Sequence, residues 1–388
     1  MKHFILTVLS AIVLMVASGC GSSGQEGMKT ETIDGVTHVY SAATPSHGVV
    51  SLELEEVTRI DALAADPDNP PTFGQYQMDA YGNIYLAHRS EPRIYKFDNT
   101  GAFVTSFVKK GEGPGEFPRS IYQFQVTDDA VWAANSQKSA RFNLNGDYID
   151  QHIFQRNITM QRMVNNESMV GNYYLNDRTE ERIRVCALMD LTGNESVRFM
   201  SNAAAGFTRL RVENRMYSFF HPMITNDFLH IFDKKRQKVY MFLTNEPVIY
   251  RKTLEGKTDL VIHREIEPVK PTEADIREIE QNSFVRWPEE LRHAVAHSLP
   301  PHFVFHTNIY LTPTGHLILR RTTGYQKYEM DIFDPNGQFI HTVKPGPLYP
   351  DLARAGFLNG KLAVFQESED RDIFILYRVK NLPGIFNN

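Results

Sequence analysis

Four histidines in the C-terminal half come closest, in type and spacing, to a metal site. His293 and His297 are four residues apart, so their rings would share one face of a helix, and imidazole is a preferred ligand of Zn²⁺. The pair lacks the glutamate of a zinc-protease helix, and two consecutive prolines separate it from His302 and His306. The spacing therefore favours an exposed or packed helix end, and we predict no metal ligand here.

Acidic and amide side chains form a second group of candidates, because carboxylate and amide oxygens bind divalent ions. The candidates are Asp128, Asp129, Asn135, Asn226 and Asp227, but the first two fall where a hairpin turn is expected. Serine, histidine and aspartate residues are too scattered to indicate a triad, and the G-x-S-x-G motif is absent from the sequence. We predict no catalytic residue and no cofactor. A metal-dependent lactonase or lyase is the alternative hypothesis.

Residues 1–20 have the pattern of an export signal. Lys2 precedes an uncharged run over residues 4–18, which is short for a membrane span of about 20 residues. The run ends in small residues followed by Cys20, which resembles the bacterial lipoprotein signal, in which such a cysteine is lipidated. We therefore predict a lipoprotein signal peptide over 1–20 with Cys20 as the lipidation site. An ordinary cleaved signal peptide is the alternative.

The resemblance to lipoprotein signals also implies a location. It implies anchoring in a bacterial envelope through two or more acyl chains. The outer membrane is implied because Gly21 is not an aspartate, and the side that the protein faces stays open. Residues 21–47 are predicted as a tether, which begins with a glycine- and serine-rich segment. The second cysteine, Cys186, lies in a strand-like apolar run and is predicted to be a buried core thiol.

Two short turn motifs recur along the chain. In the first, an aromatic residue or Met precedes Asp or Asn, and a glycine lies three residues after that Asp or Asn. In the second, a glycine turn precedes an apolar strand-like run, about 20 residues before the first motif. Asp, Asn and Gly favour tight turns, and runs of β-formers lie between them. The glycines of the first motif are Gly101, Gly146, Gly193 and Gly337, and those of the second are Gly82, Gly315 and Gly360.

Repeats of about 45 residues with four short strands indicate the blades of a β-propeller. The longest interval between repeats contains two helical segments, one with a Thr272 cap after a proline and one beginning at Pro288. We therefore predict an all-β fold over 48–388, a six-bladed β-propeller with a small helical insertion at about 268–300, before the fifth blade. A seven-bladed ring is the alternative. The expected blades cover roughly 73–110, 119–154, 158–200, 216–267, 302–343 and 351–380.

Two further expectations concern the strand that closes the ring and the helical insertion. A strand between residues 48 and 60 is expected to close the ring by pairing with the last blade, which supplies only three strands of its own. The insertion carries Phe284 and Trp287, which favours a partner contact or a cap over the ring.

The glycine-rich segment GEGPG at 111–115 superficially suggests a phosphate-binding loop. More strand follows it instead of a helix, and it lacks the Lys-Ser/Thr ending, so an inter-blade turn is predicted. Together with the strand motifs at 79–86 and 93–101, the segment GEGPGEF at 111–117 resembles the NHL-like six-bladed β-propellers, and in particular secreted or lipid-anchored bacterial members. The resemblance implies a ring-shaped scaffold and no particular reaction.

Composition narrows the range of functions. The chain has 388 residues, a formal net charge of −5, 42% hydrophobic residues and two cysteines, which indicates a globular protein without a disulfide scaffold. We expect no nucleic-acid partner, because the charge is negative and the sequence shows no basic block. The leading hypothesis is a membrane-anchored scaffold that binds a protein, small molecule or glycan on the propeller face, where loops carry function. We expect it not to be an enzyme.

Overall fold

The turn motifs separate short antiparallel strands, and the N-terminal strands join blades formed much later in the chain. The computed structural model describes residues 29–175, 182–203, 208–212, 215–219, 221, 223–282, 287–367 and 371–386. The N-terminal strands are β1 (Lys29–Ile33), β2 (Val36–Ser41), β3 (Val49–Val50) and β4 (Leu54–Asp61), followed by a single 3-10 turn at Ala62–Ala64.

The first three blades are four-stranded antiparallel sheets. Blade one contains β5 (Phe73–Met78), β6 (Ile84–His88), β7 (Ile94–Phe97) and β8 (Phe103–Phe107). Blade two contains β9 (Gln123–Val126), β10 (Ala130–Ala134), β11 (Lys138–Asn143) and β12 (Tyr148–Ile153). Blade three contains β13 (Ile158–Met163), β14 (Ser168–Leu175), β15 (Ile183–Asp190) and β16 (Glu195–Asn202). A separate hairpin follows, made of β17 (Thr208–Val212) and β18 (Arg215–Phe219).

Blades four to six complete the ring. Blade four contains β19 (Phe228–Asp233), β20 (Lys238–Leu243), β21 (Val248–Thr253) and β22 (Thr258–Arg264). The helices α1 (Glu273–Asn282) and α2 (Glu289–Ala296) precede blade five, which contains β23 (His306–Leu311), β24 (Leu317–Gly324), β25 (Lys327–Phe333) and β26 (Phe339–Val343). Blade six contains β27 (Ala355–Leu358), β28 (Lys361–Glu367) and β29 (Asp372–Val379). A 3-10 turn at Leu352–Arg354 precedes this blade, and α3 (Pro383–Phe386) follows it.

The ring is closed, and the predicted six-bladed propeller with its helical insertion is confirmed. The first strands of successive blades are neighbours around the axis, and β27 of blade six returns to β5 of blade one. β4 pairs antiparallel with β29 and supplies the fourth strand of blade six, which is the predicted closure. This pairing covers an edge that would otherwise present free backbone groups.

The apolar core is divided among the contacts between neighbouring blades. Each blade has apolar residues on both faces, because a blade is covered on both sides by its neighbours. Tyr85 and Phe107 of blade one pack with Val131 and Phe142 of blade two, and the other junctions are built in the same way. Apolar and polar residues therefore alternate less strictly along these strands than along the strands of a sheet with one solvated face.

The turn motifs use side chains to organise their own backbone. The Asp98 carboxylate accepts hydrogen bonds from the amides of Thr100 (2.9 Å) and Ala102 (3.0 Å), and Gly101 adopts a φ of 92°. A Cβ at Gly101 would lie 2.6 Å from the carbonyl oxygen of Arg59 in β4, so glycine also permits this contact between blades. The motif therefore specifies both a turn and the close approach of this turn to β4.

Two regions differ from the sequence-based prediction. Residues 29–41, assigned to the tether, instead form the hairpin β1–β2, and β2 pairs in parallel with β22 at the outer edge of blade four. Strand-forming residues flank the Asp34–Gly35 turn, which explains the hairpin. Blade four begins at 228 and not at 216, because β18 pairs with β17 in a hairpin of its own. The predicted signal peptide, Cys20, residues 21–28 and Phe284 lie outside the described residues.

Candidate functional site

A cavity of about 1380 Å³ follows the axis of the ring. Its lining comes from the first strands of the blades, such as β5, β9 and β23, and from the turns that follow β19, β23 and β27. Every blade thus places its first strand near the axis, and blades four, five and six each add a turn. Concave sites of this kind are the usual ligand sites of proteins, and we take this cavity as the candidate site.

Glutamine side chains join the inner strands of blades one, two and three around the cavity. In β5, Gln75 donates from Nε2 to the carbonyl of Tyr122 (2.8 Å) and accepts from the amide of Phe124 (3.3 Å). In β9, Gln125 accepts from the amide of Met163 in β13 (2.7 Å). These amides satisfy backbone groups at the inner edges, where adjacent blades have no ladder between them.

Tyrosines perform the corresponding role between blades five and six. Tyr310 in β23 donates to the carbonyl of Ala355 (3.3 Å) and accepts from Nδ2 of Asn308 (2.8 Å). Gly356 leaves room for two hydroxyls, because a Cβ there would lie 2.0 Å from Oη of Tyr76 and 2.8 Å from Oη of Tyr310. Burial raises the pKa of both phenols, so they stay neutral.

The charges that line the cavity are mostly positive. Its described lining contains a single carboxylate, Asp233, which is buried and accepts from Nη1 of Arg236 at 3.0 Å. At the rim, Lys234 contacts Asp128, and Arg378 lies 3.0 Å from Glu55. The basic residues of the lining are Arg162, Lys234, Lys235, Arg236, Lys361 and Arg378. A protein with a net charge of −5 therefore concentrates positive charge along its axis.

Arg162 is the basic residue whose surroundings are most unusual. It lies in β13, half-buried, and its Nη1 donates to the carbonyl of Gln161 at 3.2 Å. Desolvation lowers the pKa of Arg162 to about 10, so the guanidinium still carries its charge at neutral pH. No carboxylate of the described chain lies within ion-pair distance of it. A desolvated cation without a counter-ion is a strong attraction for an anion.

Most of the residues considered from sequence as axial metal ligands have other roles. Asp227 is buried and forms an ion pair with Nε of Arg184 at 3.0 Å. Asn135 accepts from the amides of Gln137 (2.8 Å) and Lys138 (2.9 Å), which organises the loop between β10 and β11. None of the candidate residues lines the cavity.

Asp128 and Asp129 lie in the turn between β9 and β10, as predicted. The described lining offers no histidine and only the paired Asp233 as a carboxylate. This donor set does not fit the axial Ca²⁺, Mg²⁺ or Zn²⁺ ion that the alternative lactonase or lyase hypothesis needs.

The structure separates the four histidines. His293 and His297 lie together at the end of α2, with ring centroids 4.0 Å apart, and Glu280 of α1 adjoins them. His302 contacts the carbonyl of Phe303 through Nδ1, and His306 is fully buried in blade five. The helix-end prediction fits the position of the first pair, but sequence spacing did not reveal the nearby glutamate.

The remaining predicted features lie away from the axis. Gly111–Gly115 connects blades one and two, as predicted, and the amide of Gly113 donates to the carboxylate of Glu116 at 3.0 Å. Cys186 is buried, 3.8 Å from Nδ1 of His230, and burial raises the pKa of its thiol, which confirms a core thiol. Neither feature forms an open binding site.

Sequence reasoning missed the basic lining. Lys234, Lys235 and Arg236 are consecutive and form the turn between β19 and β20, but the sequence was interpreted as having no basic block. The signal was three basic residues between two apolar strands. Gly315 of blade five leaves room for the Arg236 side chain, since a Cβ at this position would lie 1.9 Å from Nη1 of Arg236. That these residues face the axis follows only from closure of the ring.

The fold agrees with that of a solved structure. The chain is similar to the structure of a protein from Bacteroides fragilis NCTC 9343 that is inferred to be exported, with 12% identity and a TM-score of 0.51, over 88% of this chain and 99% of the other. A member of the DUF4221 family from Bacteroides vulgatus has 12% identity and a TM-score of 0.48, over 85% and 99% of the two chains. No family model and no curated protein matches the sequence.

The described helices are short or polar relative to a membrane span. None of them is both long and apolar enough to cross a bilayer.

Proposed function

We propose that the protein is a binding scaffold whose axial cavity holds an anionic ligand with hydroxyl groups, such as an acidic saccharide. The observation that carries this proposal is Arg162, a desolvated cation without a carboxylate partner among the described residues. Five further basic residues line the same cavity. Lys234, Arg236 and Arg378 contact carboxylates, but Lys235 and Lys361 have no carboxylate partner among the described residues, so the field along the axis favours an anion.

The polar lining supports a hydroxylated ligand. Gln77 and Gln123 lie half-buried in the cavity, on the same strands as the bridging glutamines Gln75 and Gln125. Their amides can donate to and accept from hydroxyl groups. Tyr122 contributes an exposed ring against which a sugar face can pack. The arrangement combines charge with hydrogen bonding, as a site for an acidic saccharide requires.

The experiment compares glucuronate-containing oligosaccharides with neutral glucose oligosaccharides of the same length, by calorimetry. We expect binding of the acidic series only, weakened by salt, and a loss of affinity of about 10-fold to 100-fold in Arg162→Gln, since a hydrogen bond to a charged group contributes about 1.5–3 kcal/mol. Arg119→Gln is the matched control, because Arg119 lies outside the cavity. Equal affinity for both series, or an unchanged Arg162→Gln, would contradict the proposal.

We also propose that the scaffold is attached to the bacterial envelope through a lipid on Cys20. The signal-like sequence of residues 1–20 supports this attachment, and the fold is shared with a protein that is inferred to be exported. In cells that express the full chain, Cys20→Ala should move the protein from the membrane fraction to the soluble fraction. Retention of Cys20→Ala in washed membranes would argue against a lipid anchor. The NHL-like resemblance stays an expectation of the sequence.

A further inference from the structure

Three potential metal-ligating side chains converge on the helical insertion, away from the axial cavity. Glu280 lies in the last turn of α1, and His293 and His297 lie at the end of α2. One ligand atom from each of the three lies within 4.8 Å of the other two. All three side chains are partly or fully accessible to solvent, so an ion can reach them from outside.

The hydrogen bond of His297 leaves one of its two ring nitrogens free to bind an ion. Nδ1 of His297 lies 2.9 Å from the carbonyl oxygen of His293, which places a proton on Nδ1 and leaves the Nε2 lone pair available. His293 Nδ1 lies 2.7 Å from Oε1 of Glu280. An imidazole whose other ring nitrogen is hydrogen-bonded to a backbone carbonyl, as in His297, is typical of zinc sites.

The two helices are held in a fixed relation to each other. Arg292 of α2 donates from Nη1 to the carbonyl of Glu280 at 3.1 Å, which caps the end of α1. Ile279 of α1 and Leu291 and Val295 of α2 are buried in one apolar cluster. The glutamate and the histidines are therefore presented by a packed platform and not by independent loops.

We propose that Glu280, His293 and His297 bind a Zn²⁺ ion, with a fourth position open to water or to a group on a partner. A carboxylate and two imidazoles are ligands that Zn²⁺ accepts in tetrahedral sites, and histidines at i and i+4 suit its geometry. The third donor precedes His293 by 13 residues on another helix, which explains why spacing alone favoured a helix end.

The zinc site is separate from the proposed anion site. The insertion lies in the connection from β22 to β23, at the end of the blades opposite the turn of Lys234, Lys235 and Arg236. Binding at either site can therefore be measured without the other.

The experiment titrates ZnCl₂ into the purified full-length chain after treatment with a chelator and removal of the chelator. We expect one Zn²⁺ per chain, confirmed by elemental analysis, and no comparable binding of Mg²⁺, which prefers oxygen ligands. The double variant His293→Ala/His297→Ala should lose at least 10-fold in affinity. Glu280→Gln, which keeps the shape of the side chain, should bind more weakly than the wild type.

A second histidine pair provides a matched control. The rings of His47 and His341 are 5.4 Å apart and are remote in sequence from the insertion, so His47→Ala should bind Zn²⁺ like the wild type. Circular dichroism of each variant checks that it is folded. Absence of stoichiometric Zn²⁺ in the wild type, or equal affinity in the folded double variant, would overturn the proposal.

Discussion

His306 shows how burial turns one side chain into a pH-dependent contribution to stability. It is fully buried beside the ring of Phe242, with centroids 5.3 Å apart. Desolvation lowers the pKa of His306 to about 3, and the guanidinium groups of Arg321 and Arg264 act in the same direction. The folded protein therefore keeps this imidazole neutral, whereas the unfolded chain takes up a proton below its ordinary value of about 6.5.

This difference predicts acid destabilisation from a single residue. Below about pH 6.5 the unfolded state binds one more proton than the folded state. His306 should therefore lower the free energy of unfolding by about 1.4 kcal/mol for each pH unit down to about pH 3. His306→Leu should reduce the loss of unfolding free energy between pH 7 and pH 5 by about 2 kcal/mol, measured by urea denaturation. The exposed His47→Leu is the control. Parallel pH profiles for wild type and His306→Leu would contradict the argument.

At the scale of elements, the turn between the third and fourth strands of a blade is built with either Asp or Asn. Asp190 accepts from the amides of Thr192 (2.8 Å) and Asn194 (2.9 Å), and Asn143 accepts in the same way from Asn145 and Asp147. Burial alone would raise the pKa of Asp190, but these hydrogen bonds outweigh it and lower the pKa to about 2. The uncharged carbonyl oxygen of Asn143 is therefore sufficient to accept both backbone hydrogen bonds of this turn.

The turn therefore predicts a contrast between two substitutions. Asp190→Ala removes the acceptor for two backbone amides and should cost about 1–3 kcal/mol of unfolding free energy. Asp190→Asn should retain most of the stability, as Asn143 does in blade two. Thermal and urea unfolding of the two variants would measure the difference. Similar losses in both would mean that the charge, and not the acceptor geometry, stabilises the turn.

Turn chemistry explains why most of the elements could be predicted from sequence. Gly101, Gly193 and Gly337 mark turns through local backbone requirements, and local signals are visible in one sequence. The hairpin at residues 29–41 also has a local signal, an Asp-Gly turn, but the sequence-based prediction places this region in the tether. The hairpin β17–β18 was assigned partly to blade four, because strand patterns do not identify a partner strand.

The candidate site was less predictable because it exists only in the closed ring. Arg162 lies in a strand with no motif, and the three basic residues 234–236 form an ordinary-looking turn. They approach the axis from different blades, more than 70 residues apart in the chain. Glu280 joins His293 and His297 only after two helices pack together. Such contacts depend on tertiary structure, which spacing along one chain does not encode directly.

At the scale of the whole molecule, closure by β4 makes the two ends of the chain depend on each other. Ile60 of β4 is buried with Phe374 and Leu376 of β29, and the two strands pair from Leu54 to Asp61. Without β4, blade six would have an open edge and exposed apolar residues, which favours association between chains. The stability of the ring should therefore respond sharply to the length of the N-terminal segment.

Two truncations test this dependence. Removal of residues 1–47 deletes β1 and β2 but leaves β4, and should give a folded monomer with a modestly lower melting temperature. Removal of residues 1–61 also deletes β4, and should give loss of cooperative unfolding or aggregation, seen by calorimetry and size-exclusion chromatography. A folded, monomeric protein without residues 1–61 would show that β4 is dispensable.

The N-terminal segment passes along the outer edges of three blades in succession: β2 beside β22, β3 beside β26, and β4 beside β29. A lipid on Cys20 would therefore join the ring at the circumference of blade four. Fully extended, the eight residues 21–28 reach at most about 28 Å, so this blade would stay close to the bilayer. Because the attachment point would lie on the circumference and not on a face of the ring, the anchor itself would cover neither end of the central cavity.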